Sequence, residues 1–320
     1  MSSVSEGRFR GSSVPLLTPP PRFATLLTDD GVPVEAVYEP CTAGFGAPDG
    51  GAAGTLTATS AMTPAATPAI VVAHGFTGAA DRPAVRRAAR VFAQRAAVIT
   101  FSFRGHGRSG GRSTVGDREV LDLAAAVAWA RQLGHTRVVT VGFSMGGSVV
   151  LRHGALYTAD PLAGGAESAV GDTPVHVPER EGRIQRTGAH SDAVASVSAP
   201  ARWYYRGTAP MRRLHWVVTR PSGRLVGRYG FRTRIATEDW DPVPLSPVAS
   251  VPLIAPAPLL LVHGDRDPYF PLDHPRMLAE AAGPGGAELW LERGMGHAEN
   301  AADDALLARI ADWATGTPPA

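Results

Sequence analysis

The chain has 320 residues, 44% of them hydrophobic and 19% charged, with a formal net charge of +2 and one cysteine, Cys41. That near-neutral balance excludes a global attraction to nucleic acid, and the lone cysteine excludes an internal disulfide and fits a reducing, cytoplasmic setting. No apolar run reaches the roughly 18 residues of a membrane helix, and the first residues lack the charged and apolar regions of a signal peptide.

Taken in chain order, residues 1–22, rich in Ser, Pro and Arg, read as a disordered tail, and 23–314 as one domain. Phe23–Leu27, the Asp29-Asp30-Gly31 turn and Val32–Tyr38 read as a β-hairpin. Residues 41–68, mostly Gly, Ala, Thr and Pro, read as a flexible connection. An alternation of strand and helix follows. Ile70–Ala73 is a wholly apolar strand, 81–95 a helix, Ala97–Phe103 a strand and 117–133 a helix with one apolar face. Val138–Val141 is a third strand, with a helix from Ser144 to about Tyr157. Residues 159–190 lack periodicity and read as a surface insertion, and Ala193–Ser198 resumes the sheet. Residues 200–250 hold only scattered apolar pieces. Pro258–Val262 and Glu288–Leu291 read as the last strands and Ala301–Trp313 as the closing helix. The pattern predicts an α/β fold: a mostly parallel, doubly wound sheet with helices on both faces.

Gly142-Phe143-Ser144-Met145-Gly146 falls at the junction of the third strand and its helix. A serine between glycines at such a tight turn is a nucleophile elbow, which lifts the Oγ above the sheet. The chain holds a second match, Gly107-Arg108-Ser109-Gly110-Gly111, but in a glycine-rich loop without that context, so Ser109 reads as a loop residue. A serine hydroxyl needs a base, and the base an orienting carboxylate. His297, in a glycine-flanked loop between the last strand and last helix, is the best base. His74, His106 and His263 read as loop braces. Asp265 and Asp267 both follow the Pro258–Val262 strand, one as a turn cap and one as the orienting acid, and residue chemistry does not separate them. The backbone N–H groups of Met145 and of Phe76, in the glycine turn after Ile70–Ala73, suit an oxyanion hole.

These segments together resemble the α/β-hydrolase fold family. His74-Gly-Phe-Thr-Gly resembles its oxyanion turn, Arg104-Gly-His-Gly-Arg-Ser-Gly the loop after its fourth strand, and Gly142-Phe-Ser-Met-Gly its elbow. His263-Gly-Asp-Arg-Asp and Gly296-His297 resemble its acid and base segments. The resemblance spans about residues 23–314 and implies Asp267 rather than Asp265 as the acid. Within the family the chain looks like the serine esterases and lipase-like enzymes akin to cinnamoyl esterases, monoacylglycerol lipases and serine aminopeptidase-like proteins. A Ser144–His297–Asp267 triad acting on a small-molecule acyl ester, with no metal or organic cofactor, is what the resemblance implies. An acyltransferase, an amidase or peptidase, and a non-catalytic ligand-binding relative are the alternatives.

About 201–250 is where such proteins carry a lid. Residues 202–234 contain nine arginines, no acidic residue and six interleaved aromatic residues. One expectation is that Arg212, Arg213 and Trp216 contact an anionic or amphiphilic substrate, or a membrane surface. The plainer alternative is a solvated lid in a chain that uses no lysine at all.

Overall fold

The computed structural model describes residues 20–43, 67–158 and 188–316. Most of the expected tail, of the 41–68 connection and of the 159–190 insertion lies outside the described residues. An eight-stranded sheet runs in the order β1-β2-β4-β3-β5-β6-β7-β8. Its strands are β1 (Arg22–Leu27), β2 (Pro33–Glu39), β3 (Ala69–Ala73), β4 (Ala97–Phe101), β5 (Val138–Phe143), β6 (Ala193–Val197), β7 (Leu259–Gly264) and β8 (Glu288–Glu292). β1–β2 is the expected hairpin, with Gly31 supplying a positive φ of 79° at its turn. β2 joins β4 antiparallel, and every later pairing is parallel.

The central strands are apolar on both faces because both faces are covered. Val71, Leu259 and Leu261 face one core, and Ile70, Val72, Leu260 and Val262 the other. The first core is closed by α2 (Glu119–Gln132), α3 (Met145–Leu156) and α7 (Asp273–Ala281) through Leu123, Val127, Val150 and Leu278. The second is closed by α1 (Pro83–Phe92) and α9 (Asp304–Thr315) through Val85, Phe92, Leu307 and Ile310. Each such large apolar side chain contributes roughly 1.5–3 kcal/mol on burial.

Three regions depart from the sequence reading. Between β6 and β7, where no helix was expected, lie α4 (Ala209–Thr219), α5 (Pro221–Tyr229) and the short α6 (Pro247–Ser250). Thr208 caps α4 by accepting from the Met211 N–H at 3.4 Å, and the prolines that look like breakers sit in first turns, where no N–H is needed. α7 was also unforeseen. The closing helix is divided: α8 (Ala298–Ala301) ends at an extended Ala302, and α9 restarts on Asp303, whose carboxylate accepts from the Leu306 N–H at 2.8 Å. Among the described residues no helix is long and apolar enough to cross a membrane.

Two buried clusters fix the loops beside the site. Arg104 donates through Nε and Nη2 to Asp122 at 2.9 and 2.8 Å and through Nη1 to Asp30 at 2.7 Å. Burial opposes the guanidinium charge, but Asp30 and Asp122 outweigh it and hold Arg104 above the usual arginine range. Glu119 accepts from the Ser113 hydroxyl and from the Thr114 and Gly116 N–H groups at 2.8–2.9 Å, shaping the 113–117 loop.

Burial pushes His74 and His153 down to about 3, so both imidazoles are neutral in the folded protein. Unfolding below their ordinary value of about 6.5 takes up two protons. Stability is therefore expected to fall as the pH drops from 7 to 5, with these two contributing about 3 kcal/mol per pH unit near pH 5. Burial also raises Glu299, and Asp122 to about 7, and these two oppose the trend, whereas His274, lowered to about 4 by burial, adds to it. Urea unfolding free energies across this range check it; a flat or rising profile would refute it.

Candidate active site

The loops at the carboxyl ends of β3, β5, β7 and β8 converge, as expected for an open parallel sheet. Ser144 follows β5 with φ 53° and ψ −113°, a conformation costly for a residue with a Cβ. Neighbouring backbone holds it: its N–H donates to Val197 O at 2.8 Å and its carbonyl accepts from Ser148 N at 3.1 Å.

His297 follows β8, and its Nε2 stands 2.8 Å from Ser144 Oγ. Its Nδ1 lies 2.7 Å from Asp267 Oδ2. The Asp267 side chain is fully buried, and its other oxygen accepts from the Tyr269 and Phe270 N–H groups at 2.8 and 3.1 Å. That network assigns the imidazole proton to Nδ1 and leaves Nε2 to accept from the serine hydroxyl. The Tyr269 ring stacks on His297 at 4.3 Å between centroids. Asp265 is turned elsewhere and accepts from the Gly294 N–H at 2.6 Å.

His74 builds the turn after β3. Its Nε2 accepts from Phe103 N at 3.0 Å, so its Nδ1 donates to Gly75 O at 2.7 Å. Gly78 N donates to the same carbonyl at 2.9 Å. In a trans peptide the C=O and the next N–H point opposite ways, so pinning the Gly75 carbonyl sets the direction of the Phe76 N–H. Met145 is the first residue of α3, where an amide has no acceptor within the helix. Behind this turn stands the buried Glu299, its Oε1 3.4 Å from Gly75 N and its carboxyl raised by burial. Sequence reasoning missed it; the available signal was an acid two residues past the base.

Ser144, Phe76 and Met145 open onto a cavity of about 490 Å³. Met211, Leu214, His215 and Val218 of α4 form one wall and Trp203 and Trp240 another. The indole N–H groups of Trp203 and Trp240 donate to Pro244 O at 2.9 Å and Thr114 O at 2.7 Å, so the rings offer the cavity apolar surface. The expected contacts Arg212, Arg213 and Trp216 do not line it. Positions 211, 214, 215 and 218 share the inner face of α4, so helical spacing turns 212, 213 and 216 outward, and Trp216 is 45% exposed.

The remaining singled-out residues are held by backbone partners. Ser109 is buried, donating to Ser102 O at 2.5 Å and accepting from Glu35 N at 3.0 Å. His106 Nδ1 lies 3.0 Å from Arg104 O, and His263 Nε2 lies 2.9 Å from Phe270 O.

The chain belongs to the alpha/beta hydrolase fold family, whose model matches residues 68–299. Among solved structures it is similar to the esterase Pf2001 of Pyrococcus furiosus, at 18% identity over 96% of this chain and 97% of that one, with a TM-score of 0.60. It is also similar to XC6422 of Xanthomonas campestris, described as a serine hydrolase without lid, at 17% identity over 96% and 100% of the chains, with a TM-score of 0.52. A third is an esterase domain of a Rhodothermus marinus protein, at 16% identity over 93% and 97%, with a TM-score of 0.53. At these identities the likeness is one of fold. No curated protein matches the chain.

Proposed function

We propose that the protein is a serine hydrolase that cleaves carboxylic esters or thioesters through an acyl-serine intermediate. The observation that carries this is the line from Asp267 through His297 to Ser144, with gaps of 2.7 and 2.8 Å, ending at the floor of a 490 Å³ cavity. The esterases that share its fold agree with it.

In this reading His297 Nε2 takes the Ser144 proton as Oγ attacks the ester carbonyl. The tetrahedral oxyanion meets the Phe76 and Met145 N–H groups, which are already oriented before reaction. Asp267 holds the imidazolium that forms. His297 then returns the proton to the leaving alcohol, an acyl-Ser144 remains, and water activated by the same imidazole releases the acid. The apolar walls favour an apolar acyl or alcohol group next to the reacting carbonyl.

A fluorophosphonate probe tests this directly. One adduct per chain is expected, on the peptide containing Ser144, and none after Ser144→Ala. An intact protein that stays unlabelled, or an adduct on Ser109, would overturn the proposal.

A further inference from the structure

A second cavity of about 420 Å³ adjoins the first, since Arg224 and Ile235 line both. Arg112, Arg228 and Arg234 line it as well, and no acidic residue does. None of these four arginines forms an ion pair among the described residues. Arg224 Nε donates to Val218 O at 2.8 Å, Arg234 donates to Ser109 O, and Arg228 stands over the Tyr229 ring at 5.5 Å. The acid that feels Arg112 is the exposed Glu238, which lines the catalytic cavity and not this one.

A second feature points the same way. Pro221, the first residue of α5, also lines this cavity. That helix has no side-chain cap and no acidic residue in its first turn. Four arginines and no acid among its lining residues give this hollow a net positive charge. Guanidinium forks match the paired oxygens of a carboxylate or phosphate.

We propose that this hollow is an anion subsite that holds the oxyanion-bearing end of the ester whose carbonyl reacts at Ser144. This rests on the esterase reading. It names the substrate class as an acyl ester with an apolar middle and a carboxylate or phosphate at its far end. The arginines concerned are those facing the two cavities, not Arg212 and Arg213 on the outer face of α4.

The test compares mono-p-nitrophenyl esters of dicarboxylic acids, in a series of chain lengths, with neutral p-nitrophenyl esters of the same lengths. At the length that spans the two cavities the wild-type kcat/KM is expected to favour the anionic ester by on the order of tenfold. The exposed pair Arg112→Ala with Arg228→Ala is expected to erase that ratio, whereas Arg90→Ala on α1 leaves it intact. A ratio near one at every length, or one that the double variant does not change, overturns the proposal. Calorimetric titration of Ser144→Ala protein with pyrophosphate needs no turnover, and binding weakened about tenfold by the double variant is expected. If the wild type hydrolyses neither ester, the esterase reading has failed, and the pyrophosphate titration alone decides the subsite: no binding refutes it. Binding without any preference for anionic esters in an active enzyme identifies free phosphate as the ligand and overturns the substrate assignment.

Discussion

Asp267→Asn is expected to lower kcat for p-nitrophenyl butyrate about 10⁴-fold with little change in KM. The carboxylate accepts from His297 Nδ1 and so keeps the proton there. An amide nitrogen in its place donates, which drives the proton to Nε2 and turns a donor toward Ser144 Oγ. The serine is then left without a base. The variant should still fold, because the amide oxygen can accept from the Tyr269 and Phe270 N–H groups that Asp267 Oδ1 serves. Asp265→Asn is the matched comparison. Its carboxylate tethers the Gly294 N–H, away from the imidazole, so kcat is expected to stay within about threefold, less than 1 kcal/mol of barrier. A large loss in the Asp265 variant with near-normal turnover in the Asp267 variant would reverse the roles of the two acids.

The two acids also mark where sequence reasoning ran out. Both stand in one short turn, and residue type alone assigns neither. Their separation is a matter of which carboxylate faces back across the sheet end toward the β8 loop, a long-range relation 30 residues apart in the chain. The strands were more legible. β3, β5, β6 and β7 are wholly buried, and burial on both faces writes an uninterrupted apolar run into the sequence. α4 and α5 were hidden for the opposite reason. α4 buries only Met211 and Val217, while Trp216 lies on its exposed face. An apolar residue on the solvent side breaks the helical period that would have revealed the other face. α5 is obscured further because its contact with α4 is made by glycine: a Cβ on Gly223 would lie 2.2 Å from Trp216 O. A helix that packs through absent side chains leaves no hydrophobic signature.

Context also separated the two serine pentapeptides, and the same geometry predicts the larger cost of touching the elbow. Gly146→Ala is expected to destabilise the fold by at least about 3 kcal/mol, the upper end of the overpacking range. A Cβ at that position would lie 2.2 Å from Ala73 O and 2.6 Å from His74 O. Both atoms are backbone at the end of β3, so no rotamer change relieves the contact. Relief requires moving β3 away from α3, against buried neighbours on both sides of the sheet. His74 is also the residue whose ring pins the Gly75 carbonyl, so the displacement reaches the Phe76 N–H. Whatever fraction folds should therefore lose turnover as well, by the 10²–10³-fold that a displaced oxyanion donor costs. Gly283→Ala supplies the contrast. It has φ 73° with open space around the added methyl, so only the left-handed strain of about 1–2 kcal/mol is expected, with kcat unchanged. Urea midpoints and kcat of the two variants decide it. A Gly146→Ala protein as stable and as active as the Gly283→Ala protein would mean that the elbow does not need the close approach of α3 to β3.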